Sequence, residues 1–294
     1  MFEWLVGLVP ALPLAAALWI GAAILFGRAS DEAHERRTGR IALAACGASL
    51  AAALALAVAR LAGSLPDRAV LGRWLTSGDF RVDLVFATDG LSLALAVLAS
   101  LLCLFVMRFA VNYMHREAGF HRLFMVLSLF AAAMLLLVTG GNAALAFVGW
   151  EVAGLCSYLL ISFFRDRPVA VGNATRVFVT NRVGDAGFLL GIALSFYWLG
   201  GADWGTITAG AAGSSATRTG ILAGCFLLAA MVKSAQVPFA PWLARAMEGP
   251  TPSSALFYGA VMVHAGVYLV LRLEPLFEQS PAAMAAMAAV GLAT

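Results

Sequence analysis

Four ionisable side chains interrupt runs that are otherwise apolar: Glu151, Arg182, Asp185 and Lys233. On insertion scales each costs about 2.5–3.5 kcal/mol at the centre of a membrane helix, so such groups face a bundle interior or a wet cavity. Lys233 lies in "AAMVKSAQVPFAPW" (229–242) and is the only lysine; every other basic residue is an arginine. The choice has a chemical reading. Burial lowers the pKa of a lysine and a nearby carboxylate raises it. A lysine held between the two can release its proton near neutral pH, whereas arginine keeps its proton to above about pH 12. The residue types therefore point to a proton relay, with a structural Glu151–Lys233 ion pair that has no transport role as the alternative.

No opposite charge lies within a helical turn of Lys233, so its counter-ion has to come from another segment, and Glu151 is the candidate. Arg182 and Asp185 stand three apart, on one face of a helix. Two readings of that pair stay open: a self-neutralising pair that lets a charged helix insert, or a pair whose opening and closing biases the lysine. Pro238 and Pro241 break the helix after Lys233, because neither can donate a backbone hydrogen bond. The carbonyls they free, those of Ser234 and Val237, need water or a polar side chain in lipid. Gln236, on the same helical face as Lys233, is a possible relay member, and the expected setting is a hydrated pocket. In "GPTPSSA" a helix restarts, with Thr251 as N-cap and Pro252 at the first helical position.

The elements that must position these groups follow from composition. The chain has 294 residues, 62% hydrophobic and 12% charged, against about 25% charged in a soluble domain, and a mean hydropathy of +0.90. It reads as an all-α polytopic membrane protein. About 20 apolar residues cross the hydrocarbon. Charge-free windows at 4–27, 41–59 and 90–107 give three spans. The run 123–150 is split by "TGGN" (139–142) into a fourth span and the start of a fifth, which carries Glu151. A sixth (171–199) carries Arg182 and Asp185, a broken seventh (219–239) carries Lys233, and an eighth covers 252–271. A ninth starts near Pro281 and is too short to cross by Thr294, which reads as a chain that stops inside a helix. The expected division is 1–120 (three helices and an outer loop, 63–89), 121–272 (the translocation repeat) and 273–294 (an incomplete helix). "FRVDLVF" in the loop alternates like a short hairpin.

Arginine distribution places the N-terminus outside. The inner loops then hold Arg28, Arg36, Arg37, Arg40, Arg108, Arg116, Arg122, Arg165, Arg167, Arg176 and Arg245, against Arg60, Arg68, Arg73, Arg81, Arg218 and Arg272 outside. The early charge is Glu3, without the basic start of a signal peptide. The four cysteines lie far apart in apolar runs, so they read as small buried hydrophobes rather than a metal or disulfide framework. There is no nucleotide-binding glycine loop and no basic stripe for nucleic acid.

"GWEVAGLCSYLLISFF" (149–164), "TNRVGDAGFLLG" (180–191), "KSAQVPF" (233–239) and "MEGPTPSSAL" (247–256) follow one another in order. They resemble the large antiporter-like subunit of respiratory complex I, the chain 5 or subunit L family, which is similar to Mrp-type sodium/proton antiporter subunits. The resemblance implies two inverted repeats of five helices, each with a broken helix. It makes Glu151 the glutamate of the fifth helix, Lys233 the lysine of the broken seventh, and Arg182 with Asp185 the ion pair of the sixth. The second repeat would lie beyond Thr294, leaving half of the expected proton path here. The family pattern "ALIHAA" reads "ALFYGA", so Tyr258 stands where a relaying histidine is usual and becomes a possible relay; His264, further on, faces elsewhere as an interior or interfacial histidine. "PFHxWLPDAMEGPTP" reads "PFAPWLARAMEGPTP", with Ala240 for a histidine and Arg245 for an acid.

The expected function is a proton-translocating membrane subunit of a redox-driven complex of the NADH-quinone oxidoreductase type, in the inner (plasma) membrane. This chain would carry no cofactor; flavin and iron–sulfur clusters would sit in partner subunits. The altered residues favour a branch with another engine, a cation/proton antiporter or a proton-driven inorganic-carbon uptake complex. Partners on either reading are other membrane subunits, the lipid bilayer and protons or small cations.

Overall fold

The computed structural model describes residues 2–28, 32–78, 80–256 and 261–294. Helices α1 (Phe2–Leu25) and α2 (Glu32–Leu61) form an antiparallel pair, followed by strands β1 (Arg68–Ser77) and β2 (Phe80–Ala87). Helices α3 (Gly90–Tyr113), α4 (Phe120–Thr139), α5 (Ala143–Ile161) and α6 (Pro168–Leu199) follow, then the short α7 (Trp204–Ala212) and α8 (Ala216–Lys233). Among the described residues, seven helices are long and apolar enough to cross a membrane: α1 to α6 and α8. The all-α membrane class expected from composition is what the chain adopts.

Beyond α8 the helices are short: α9 (Pro241–Arg245), a 3₁₀ turn (Ala246–Glu248), α10 (Thr251–Ala255), α11 (His264–Arg272), α12 (Glu274–Glu278) and α13 (Pro281–Ala293). The span expected at 252–271 falls on α10 and α11, and residues 257–260 between them, Tyr258 included, lie outside the described residues. Thr251 opens α10 as its first residue, with Pro250 in the capping position and Pro252 second. The boundary is one residue earlier than expected.

Helix α4 is the centre of the bundle. Its membrane-length window is 78% buried, against 33% for α1 and for α2, and it packs on α1, α3 and α5. Its sequence, FHRLFMVLSLFAAAMLLLVT, is apolar on every face, as a helix surrounded by others must be. The break between α4 and α5 comes at the two glycines. The Gly141 N–H donates to the Val85 carbonyl (2.8 Å), and a Cβ at Gly141 would stand 2.6 Å from the Val85 side chain. Only glycine lets the hairpin come this close. Asn142 then caps α5, accepting from the Leu145 N–H (2.8 Å), while its amide donates to the Asp83 carbonyl (2.9 Å). The β1–β2 hairpin, foreshadowed by the alternation in "FRVDLVF", is thereby tied to the end of the bundle where α4 stops and α5 starts. Two bulges, between Val70 and Gly72 and between Arg73 and Leu75, bend it.

Helices α6 and α8 meet along Gly184, Gly187 and Gly191. Side chains there would collide with Val232, the Cys225 carbonyl and Phe226, each closer than 3.0 Å. Small residues at a membrane helix contact let the backbones approach. Here they bring Asp185, on α6, to the level of the end of α8.

Candidate functional site

Helix α8 ends at Lys233, before either proline. Ala235 takes a left-handed backbone (φ 51°), and Pro238 lies in the non-helical stretch between α8 and α9. Pro241 begins α9 at its first position, where its missing N–H costs nothing. The break is real but earlier than proline arithmetic suggested. The helical spacing that would set Gln236 on the face of Lys233 therefore does not hold. Gln236 is half-buried in the turn, with its N–H on the Met231 carbonyl (2.9 Å) and its carbonyl accepting from Phe239 (2.6 Å). Of the carbonyls at this helix end, that of Val232 is satisfied by the Trp242 indole N–H (2.7 Å).

Lys233 is buried, 1% exposed. Its ammonium donates to the Trp150 carbonyl (3.1 Å) and lies 4.6 Å from the centroid of the Trp150 ring. A carbonyl dipole and a π face are what a buried cation needs in place of water. The Trp150 indole N–H in turn donates to Asp185 Oδ1 (2.6 Å). The other oxygen of Asp185 pairs with Arg182 Nη2 (2.7 Å), and Arg182 Nη1 binds Glu151. The structure so unites all four residues singled out by type: two carboxylates and two cations, joined as Glu151–Arg182–Asp185–Trp150–Lys233 across α5, α6 and α8.

One pairing differs from expectation. Among the described residues no carboxylate comes within 4.0 Å of the Lys233 ammonium, and Glu151 is held by Arg182 instead. The reason is directional: Glu151 follows Trp150 by one residue, so on α5 its side chain points about 100° away, towards α6. Trp150, which reasoning by charge passed over, is the bridge. Its signal was the aromatic residue beside an intramembrane glutamate in "GWE". Gly154, one turn along α5, was also missed. A Cβ there would stand 3.2 Å from Arg182 Nη2 and 3.7 Å from Lys233 Nζ, so both cations converge on the space glycine leaves.

The two ends of the chain of contacts differ in setting. Lys233 and Asp185 are enclosed (Asp185 5% exposed). Glu151 and Arg182 are about one-third exposed, and Arg182 stacks on Phe178 (4.5 Å). Arg182 also reaches a groove of about 800 Å³ between α6 and α8, lined by Val183, Leu190, Ile221 and Leu228. A guanidinium shared between two carboxylates can favour either one. Each choice changes the charge that faces Trp150 and Lys233.

His264, expected in an interior or interfacial setting, is exposed at the start of α11 against Leu95 and Leu98 of α3 and Met134 of α4. Cys46, Cys103 and Cys156 are buried free thiols. Among the described residues no group of His, Cys, Asp and Glu is arranged to hold a metal.

Residues 140–294, which contain this whole assembly, match the family described as NADH:quinone oxidoreductase/Mrp antiporter, TM. The chain belongs to this family. Residues 74–124 match a second description, NADH-Ubiquinone oxidoreductase (complex I), chain 5 N-terminus. This member of the family is 40% identical over 298 residues to the NAD(P)H-quinone oxidoreductase chain 5 of Synechocystis sp., and 40% identical over 300 residues to the NADH-quinone oxidoreductase subunit L of Mycobacterium tuberculosis. These alignments cover 98% and 100% of this chain but 43% and 45% of the relatives, so the chain spans less than half their length. Among solved structures it superposes on a chain of the Mrp complex from Dietzia sp. DQ12-45-1b, with a TM-score of 0.77 and 27% identity, over 91% of this chain and 28% of that one. A chain of an archaeal membrane-bound sulfane sulfur reductase shares the fold, with a TM-score of 0.80 at 16% identity, over 96% of this chain and 55% of that one. The resemblance carried by the four motifs is borne out.

Proposed function

We propose that this chain is the proton-conducting half of an antiporter-like membrane subunit of the NADH-quinone oxidoreductase type. Lys233, Glu151, Asp185 and Arg182 form its relay. The observation that carries the proposal is the continuous line of contacts from the partly exposed Glu151–Arg182 pair to the enclosed Lys233. In this reading Arg182 alternates between Glu151 and Asp185, and Lys233 takes or gives its proton according to which carboxylate is left facing it. The work of driving the alternation would come from partner subunits holding the redox centres. The host is the inner (plasma) membrane, with the N-terminus outside.

The test is proton uptake in sealed vesicles by the full-length assembly. Lys233→Ala is expected to cut coupled uptake at least tenfold while the subunit still assembles, and Lys233→Arg to fail as well, because it keeps the charge but cannot release the proton. Uptake unchanged in either variant would remove the relay.

A second reading, a cation/proton antiporter subunit, is favoured by the superposition on the Mrp complex chain. Gentle purification separates the two. Co-purifying subunits with flavin and iron–sulfur absorbance support the redox-driven reading, and a set of small membrane subunits without them supports antiport.

A further inference from the structure

Far along the chain from the relay, the end of α1 and the start of α2 line an open cavity of about 590 Å³. Its lining combines small residues (Ala22, Ala23, Gly27), two aromatics (Trp19, Phe26) and the basic side chains Arg28, His34 and Arg37. The Arg37 guanidinium lies over the Trp19 ring, 4.8 Å from its centroid. Among the described residues that line the cavity none is acidic. Glu35, the neighbouring acid on α2, is turned to the other side, where it binds the His115 ring (2.9 Å) and the Arg116 N–H (3.3 Å).

The same corner is apolar towards the bilayer. Leu18 is 66% exposed and Phe26 72%. Two arginines lining one cavity, one of them stacked on a tryptophan, beside exposed apolar side chains match one class of molecule in charge and polarity. The guanidinium groups supply forked donors for phosphate oxygens. The exposed leucine and phenylalanine supply a surface for acyl chains. Basic pockets between transmembrane helices hold anionic headgroups in this way. A soluble anion would have no use for the exposed apolar wall, which speaks for a lipid over free phosphate.

We propose that this α1–α2 cavity is a binding site for an anionic phospholipid, with Arg28 and Arg37 on its phosphate and Trp19 and Phe26 against its glycerol and upper acyl chains. The site is independent of the relay and of the function proposed for it.

Native mass spectrometry of the full-length protein in mild detergent tests it, with dioleoyl phosphatidylglycerol, dioleoyl phosphatidylcholine and inorganic phosphate as probes. The wild-type protein is expected to retain phosphatidylglycerol in preference to phosphatidylcholine. The double variant Arg28→Ala/Arg37→Ala is expected to retain it roughly thirtyfold less, as the loss of two near-surface cations at about 1 kcal/mol each requires. Arg37→Lys, which keeps the charge and disturbs the fold least, should fall between the two, because lysine cannot reproduce the planar stack on Trp19. Equal retention of phosphatidylglycerol by all three proteins would overturn the proposal. So would retention of both lipids alike, or displacement of bound phosphatidylglycerol by millimolar phosphate, which would make this a free-anion site.

Discussion

At the scale of single residues, Trp150 joins the two halves of the charge assembly through two different parts of itself. Its carbonyl and ring face hold Lys233, and its indole N–H holds Asp185. Trp150→Phe keeps the carbonyl and a ring while removing the N–H, and a buried carboxylate oxygen left without its donor costs about 1–3 kcal/mol. Coupled proton uptake in vesicles is expected to slow severalfold in that variant and to fall further in Trp150→Leu, which removes the ring as well. Equal rates for Phe and wild type would show that the indole bond to Asp185 is not used. The charged members of this group were legible because charge in an apolar run is rare and costly. Trp150 and Gly154 were not, since an aromatic and a glycine in a membrane helix look like ordinary packing until their neighbours are known. The pairing was also hidden: spacing within one helix is fixed by its pitch, but which carboxylate a lysine meets on another helix depends on how the helices are turned.

At the scale of elements, the spans were readable from charge-free windows, and "TGGN" gave the α4–α5 break. The short helices after Lys233 were harder to read. Prolines mark where a helix cannot continue, yet α8 stops earlier, at a left-handed Ala235 that carries no sequence signature. One tie between elements lay beyond sequence reasoning altogether. Arg272, closing α11, binds both oxygens of Asp89 (2.6 and 3.0 Å) and the Ser92 hydroxyl (2.6 Å) at the start of α3, a contact 183 residues long. Burial pushes the Asp89 carboxyl up, but the Arg272 guanidinium and the Ser92 N–H outweigh it and hold it below its ordinary value. The stabilisation is therefore complete above the ordinary aspartate pKa of about 3.9 and is lost as pH falls through the lower folded value. Thermal unfolding of the detergent-solubilised protein is expected to lose more stability from pH 5 to pH 3 in wild type than in Asp89→Asn. At pH 7 that variant should be less stable by about 1.5–3 kcal/mol, the worth of hydrogen bonds to a charged group. Parallel pH profiles would show that the tie contributes nothing.

At the scale of the whole molecule, the hairpin, the α4–α5 turn and the start of α7 gather at one end. Phe86 bridges to Gly140, Asn142 to Asp203, and the Trp204 indole donates to the Gly140 carbonyl (2.8 Å). The arginine-rich loops follow the opposite helix ends. The two ends differ in composition, and labelling can read which of them faces outward. With an impermeant maleimide, Thr76→Cys, in the hairpin, is expected to be labelled in intact cells, and Asp166→Cys, between α5 and α6, only in inverted vesicles. The reverse pattern would invert the topology read from the arginines.

The space beside Gly154 has a consequence for how the sequence can drift. A methyl group there would stand 3.2 Å from Arg182 Nη2, so the arginine tip would have to shift by a few tenths of an ångström while holding Glu151 and Asp185. The adjacent Leu155 is 45% exposed and meets no such constraint. Of two neighbouring positions equally apolar in composition, Leu155 can therefore be exchanged without touching the charges, whereas any side chain at Gly154 has to displace the Arg182 tip. The constraint on Gly154 comes from the charges beside it rather than from its own backbone.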